Sequence, residues 1–205
     1  VFEKEPNCRR IKSECLAKAA PVPTGRAILF GAVQAYEAAA RQHPFLQYRP
    51  AAVKPSLWGW AGNYIGFTGY YNPFTGEAQV NTGAPYFLLP YTACHEIAHQ
   101  LGYARENEAN LVGYLAASQS PDPLFRYSVY LDLFVYTQRA LYPADSASVK
   151  NFAQQLLPEV RADLRTWQAF LEAHRSPLEP VFRKLYGFYL EKNEQPAGIN
   201  SYDEV

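Results

Sequence analysis

TACHEIAHQLGYARENEANLVGYLAA, Thr92 to Ala117, carries the densest chemistry in the chain. It contains HExxH as His95-Glu96-Ile97-Ala98-His99, then Glu106 and Asn110 four residues apart. Residues four apart share a helix face, so His95 and His99 stand side by side and can each offer an imidazole nitrogen to one metal ion. Glu96, three residues before His99, can lean over the same point and take a proton from water held there. The flanks support a helix. Pro90 suits a first helical position, where no amide hydrogen is needed. Cys94, Ile97, Ala98 and Leu101 give an apolar side to bury, and Gly102 suits a left-handed C-terminal cap. A second helix is expected to begin near Arg105. The alternative for a bare HExxH is two exposed histidines on a polar helix face.

A catalytic zinc takes three protein ligands and keeps one open position. Glu106 and Glu108 are the candidates for the third. Two residues apart on a helix, they point about 200° away from each other, so only one can face the histidines. The Glu106 face continues as Ala109, Asn110, Gly113 and Ala117, whose small side chains let two helices approach closely. The Glu108 face continues as Leu111, Val112 and Leu115 and reads as core packing. Glu106 is therefore the expected ligand. Asn110, one turn on, is placed to hold an imidazole by its other nitrogen or to brace Glu106.

HExxH followed by Glu-x-x-x-Asp/Asn resembles the gluzincin branch of zinc metallopeptidases, and Glu-x-x-Ala-Asn resembles the Glu-x-x-Ala-Asp motif of membrane-bound CAAX-prenyl endopeptidases. A wider resemblance covers most of the chain. YYNPFTGEAQVN (Tyr70 to Asn81), Ala93 to Leu115, Arg126-Tyr127-Ser128 and Gly198 to Val205 look like an uncharacterised family of bacterial membrane-anchored HExxH proteins with a zincin-like fold. Two departures from the gluzincin pattern are Asn110 in place of aspartate and a short gap between His99 and Glu106. The resemblance implies hydrophobic spans before this region and a domain held outside the cytoplasm.

At 205 residues, one domain with a sizeable core is expected: a lead-in over 1–24 and a single metallopeptidase domain over 25–205. Formal net charge is zero, which argues against a nucleic-acid partner. The chain has no methionine, and is read as a fragment or a processed product. No run of 18 apolar residues exists, so contact with a membrane is expected only through segments absent from this chain. The 16 tyrosines, 12 phenylalanines and 3 tryptophans suit core packing, or a groove lined with tyrosine. Of the three cysteines, Cys94 reads as a buried free thiol. Cys8 and Cys15 could pair outside the cytoplasm, but on a helix their α-carbons would be about 10 Å apart, too far for a disulfide. That pairing stays open.

Ile28, Leu29, Ala32, Val33, Tyr36 and Ala40 mark a helix over about Gly25 to Gln42, ended by His43 before Pro44. Pro44 to Ser56 reads as an extended connector. Tyr64 to Tyr71 and Glu77 to Thr82 read as strands joined by the turn Asn72-Pro73-Phe74-Thr75-Gly76. This hairpin is either structural or an edge beside the metal cleft, where a peptide adds as a strand on Gln79, Val80 and Asn81. Helices follow over about Leu124 to Tyr142, Ser146 to His174, with a break or kink at Pro158, and Pro177 to Lys192. The expected architecture is α+β, mostly helical, with a small antiparallel sheet beside the metal helices.

The chemistry expected is zinc-dependent hydrolysis of peptide bonds in a peptide or protein substrate, with Glu96 as general base. An oxyanion-stabilising group is sought among Tyr127, Arg126 and Tyr103, with Tyr127 preferred; a packed core tyrosine is its other reading. Two other classes stay open: an inactive binding or scaffold domain, and a zinc hydrolase of a non-peptide amide such as cell-wall material.

Overall fold

A computed structural model describes residues 22–177 together with Pro180, Val181 and Lys184. Cys8, Cys15, most of Pro177 to Lys192, and Gly198 to Val205 lie outside the described residues. The architecture is α+β and mostly helical, as expected, with one three-stranded sheet.

Helix α1 spans Gly25–Ala40. Thr24 caps it by accepting the Ala27 amide at 3.3 Å. Ile28, Leu29, Ala32, Ala35, Tyr36 and Ala39 recur at helical spacing and are all buried. The helix stops two residues short of the expected end, and a 3-10 turn follows at Pro44–Leu46.

The sheet consists of β1 (Val53–Pro55), β2 (Gly69–Asn72) and β3 (Glu77–Val80), in the order β1-β3-β2. β2 and β3 form the expected antiparallel hairpin, with Gly69 opposite Val80 and Asn72 opposite Glu77. The Asn72 side chain accepts the Phe74 amide, and Gly76 takes a left-handed φ of 68° to close the turn. β1 pairs in parallel with β3, so the sheet is mixed rather than purely antiparallel. It comes from the stretch expected to be only a connector. Three residues with one intermediate and two exposed side chains carry no alternating pattern to announce a strand.

The expected strand Tyr64 to Tyr71 is shorter than predicted. Its first residues belong to helix α2, Gly59–Ile65, which Gly66 stops in the left-handed region at φ 84°. Contacts elsewhere in the chain draw this glycine-rich segment into a helix. A Cβ at Gly59 would lie 2.6 Å from the Asn81 side-chain oxygen, and one at Gly62 3.0 Å from the Phe67 carbonyl oxygen.

Helix α3, Leu89–Gln100, carries HExxH and ends as predicted, with Gly102 at φ 102°. Helix α4 is Glu106–Ser118. Helix α5, Pro123–Leu141, packs across both. Asp122 caps it by accepting the Leu124 amide at 2.9 Å. Helices α6 (Ser146–Gln154) and α7 (Pro158–Ala173) replace the single expected segment. Pro158 starts a helix rather than kinking one, because proline costs nothing where no amide partner exists.

The core lies where α1, the sheet and α4 close on α3. Tyr36, fully buried, donates its hydroxyl to the Cys94 carbonyl at 2.7 Å and so ties α1 to the HExxH helix. A second apolar cluster, Phe87, Leu88, Tyr127, Leu131 and Val160, seats α7 against α5.

Candidate metal centre

α3 and α4 cross closely because Gly113 has no side chain. A Cβ there would stand 3.1 Å from the backbone of His95. This contact brings Glu106, on the first turn of α4, to the histidine pair. His95 Nε2 and His99 Nε2 are 3.1 Å apart. Glu106 Oε2 is 3.3 Å from His95 Nε2, and Glu106 Oε1 is 3.6 Å from His99 Nε2. The three residues form a group that could hold a metal ion. The Tyr103 carbonyl, 2.8 Å from His99 Nδ1, can only accept, so Nδ1 carries the proton and Nε2 in the neutral ring presents a lone pair.

Burial works to raise the Glu106 carboxyl, but hydrogen bonds and positive charge from His95 and His99 outweigh it and bring it down to about 2. Burial works to lower His99, and its bond to Glu106 with the charges of Glu96 and Glu106 lifts it above the usual imidazole range. Glu96 shows the opposite balance. It is 5% exposed, and burial pushes its carboxyl above the usual range despite both histidines. β2 lies directly on it: a Cβ at Gly69 would sit 2.6 Å from Glu96 Cγ and Oε1. Glycine at 69 is therefore what gives the Glu96 carboxylate its room.

Glu106, not Glu108, faces the histidines. Glu108 is exposed and lies 3.9 Å from Arg105. Its face packs against the core through Val112, which is buried, and Leu115, but Leu111 is 60% exposed. Asn110 lines the cleft, and the Tyr91 hydroxyl donates to its carbonyl at 3.3 Å. Cys94 is buried and free, and burial pushes its thiol up, which makes it inert.

The group opens on a cleft of about 940 Å³ bordered by β2, α3, α4 and α5. Tyr127 is not part of its wall. It is fully buried, and its hydroxyl donates to Asp163 at 2.6 Å, so it packs α5 on α7 and cannot reach a substrate. Gln79, Val80 and Asn81 are also misplaced as a substrate edge. Gln79 and Val80 lie on β3, the central strand, with β1 on one side and β2 on the other, and Asn81 directly follows it. Val80 is fully buried, Gln79 accepts the Tyr70 hydroxyl at 2.6 Å, and Asn81 donates to Asn63. Order in a sheet is a tertiary property, and a hairpin sequence does not say which of its strands gains a further partner.

β2 is the strand that borders the cleft. On β3, the Ala78 amide and the Val80 carbonyl bond toward β1, and the Asn81 amide bonds to Thr68. Alternation along an antiparallel pair then turns the backbone of Gly69 and Tyr71 to the outer side of β2. Sequence reading missed further cleft residues, among them Asp132, Arg139 and Trp167. One signal for Asp132 was available. It is the lone charge between Arg126 and Arg139. Burial pushes its carboxyl up to about 6, against the charges of His95 and Arg139.

A protein-family profile described as "Protein of unknown function (DUF3810)" matches residues 7–205. No curated protein and no solved structure matches the chain.

Proposed function

For this chain, which belongs to the DUF3810 family of unknown function, we propose a zinc-dependent metallopeptidase. The observation that carries the reading is the convergence of His95, His99 and Glu106 beside a buried glutamate: the two Nε2 atoms are 3.1 Å apart, one Glu106 oxygen lies 3.3 Å from the first and the other 3.6 Å from the second. Tetrahedral zinc with bonds of about 2.0–2.1 Å places its ligand atoms about 3.4 Å apart. Two imidazoles and a carboxylate are also the donor set of a catalytic rather than a closed zinc site. His95, His99 and Glu106 would hold the ion. Bound zinc supplies a Lewis acid that brings the pKa of water to about 7 and polarises a carbonyl.

The chain's own residues do the rest. Glu96 accepts a proton from the attacking water and passes it to the leaving amine. Its raised pKa suits that exchange, because a stronger base takes the proton more readily near neutral pH. The outward backbone of Gly69 and Tyr71 would bind an extended peptide as an added strand, so the substrate edge is β2. The resemblance over YYNPFTGEAQVN further supports an extracytoplasmic domain of a membrane-anchored protein. Among the described residues no helix is long and apolar enough to cross a membrane.

Two measurements test the reading. Elemental analysis of the purified chain should give close to one zinc, most of it lost in His95→Ala; full occupancy in that variant refutes the site. A panel of peptides and peptidoglycan should show peptide cleavage that Glu96→Gln abolishes. Release of cell-wall amides with no peptide cleaved would move the substrate class, and no turnover with zinc retained would make the domain a binding module. For location, activity after Val205 of a reporter that works only in the cytoplasm contradicts the proposal.

A further inference from the structure

The metal cleft does not end at the metal. A second cavity of about 330 Å³ lies between α5, α6 and α7. Its wall is mostly apolar, including Phe134, Val149, Leu164 and Leu171. Val135, Arg139 and Trp167 line both cavities, so the apolar groove is a continuation of the cleft. Arg139 stands at the junction. Among the described residues it is the one lysine or arginine lining the cleft, and no carboxylate lies within ion-pair distance of it.

Asp132 and Arg139 both line the cleft from α5. Arg139 is seven residues beyond Asp132 on α5, about 10 Å along the axis. A guanidinium that makes no ion pair among the described residues is open to a carboxylate, which it can take in a two-bond fork. The groove next to it has no charge other than Arg139 itself.

We propose that the cleft takes peptides bearing a carboxylate, held on Arg139, with a neighbouring apolar side chain in the groove between α5, α6 and α7. This rests on the peptidase reading and names its substrate class. A C-terminal carboxylate and an acidic side chain offer the same chemistry.

The test uses the full chain as Glu96→Gln, loaded with zinc, so that peptides bind without being cut. Calorimetry compares four amino-blocked alanine peptides. One ends in leucine with a free carboxylate, and one ends in leucine with an amide. The third is amidated with glutamate before the leucine, and the fourth is a free acid ending in serine. The free leucine acid or the glutamate peptide should bind about tenfold more tightly than the plain amide, and which of the two does so identifies the source of the carboxylate. The serine peptide should bind about tenfold more weakly than the leucine acid. Adding Arg139→Gln should remove the carboxylate preference, and Arg139→Lys should restore part of it. Equal affinity for acids and plain amide, or a preference that survives Arg139→Gln, overturns the proposal and leaves the peptidase reading standing. No binding by any peptide overturns both.

Discussion

Glu96, Glu106 and Glu108 are three carboxylates within 13 residues, and the fold gives each different surroundings. Glu96 is held by burial and by the glycine at 69, and touches neither histidine nitrogen in a described bond. Glu96→Gln should keep zinc and fold while turnover falls by about 10² to 10⁴, the usual loss of a general base. Glu106→Gln should lose zinc, and excess zinc should restore part of its activity but none of that of Glu96→Gln. Glu108→Gln should leave zinc content unchanged; loss of zinc there would reverse the assignment of the α4 face. Without metal, two carboxyls act on stability with opposite sign. Glu106 is depressed to about 2, so its contribution is present above its unfolded value near 4.5 and lost as pH falls toward 2. Asp132 is raised to about 6, so its contribution is present below its unfolded value near 3.8 and lost as pH rises through 6. Asp132→Asn should therefore raise the melting temperature of the chelated protein at pH 8 and not at pH 4, as thermal unfolding at the two pH values would reveal.

Helix α3 is positioned by contacts on three sides. Tyr36 reaches its Cys94 carbonyl from α1, Gly113 lets α4 lie against His95, and Gly69 lets β2 lie against Glu96. Tyr36→Phe should cost about 1 kcal/mol, the net worth of one hydrogen bond, with zinc binding kept. Gly113→Val sets branched carbon atoms against backbone that cannot yield by rotating a side chain. It should destabilise by about 1–3 kcal/mol and weaken zinc binding, because Glu106 moves with α4. Metal titration of the folded variant checks this: unchanged zinc affinity would show that α4 is not what sets the ligand geometry. Here the sequence was informative. Gly113 and Ala117 on the Glu106 face pointed to close helix approach before any coordinates, since small residues at that spacing have few other uses. Gly69 carried no such signal, because its neighbour Glu96 is far along the chain.

Taken whole, the molecule brings His95, His99 and Glu106 into one cleft with Arg139, the one lysine or arginine that lines it among the described residues, with α5 as a common wall. Ligand atoms from α3 and α4 should make zinc a part of the fold. Any ligand bound only by the native state stabilises it, by about 4 kcal/mol at a thousandfold excess over its dissociation constant. Chelation should therefore lower the melting temperature of the wild type, and should do nothing to His95→Ala. A wild-type melting curve indifferent to chelator would mean that the three ligands close on no ion in solution.

The residues of HExxH, the choice of Glu106, the Gly102 cap and the mostly helical α+β class were legible in the chain, because each follows from spacing within one or two neighbouring helices. Local periodicity and capping chemistry act over a few residues and need no knowledge of the rest. Three expectations failed where the answer depended on distant partners. Gln79, Val80 and Asn81 were offered as a substrate edge, with a purely structural hairpin as the alternative, and β1 covers that side of β3. Tyr127 was placed over the cleft, but α7 takes its hydroxyl. Tyr64 and Ile65 were read as strand, but they end helix α2, whose Asn63 accepts from Asn81. Which strand ends a sheet, and which wall of a helix meets solvent, are settled by long-range packing that no local pattern encodes. The cleft itself belongs to this second kind: Asp132, Arg139 and Trp167 meet the metal group only once α5 and α7 have folded back upon it.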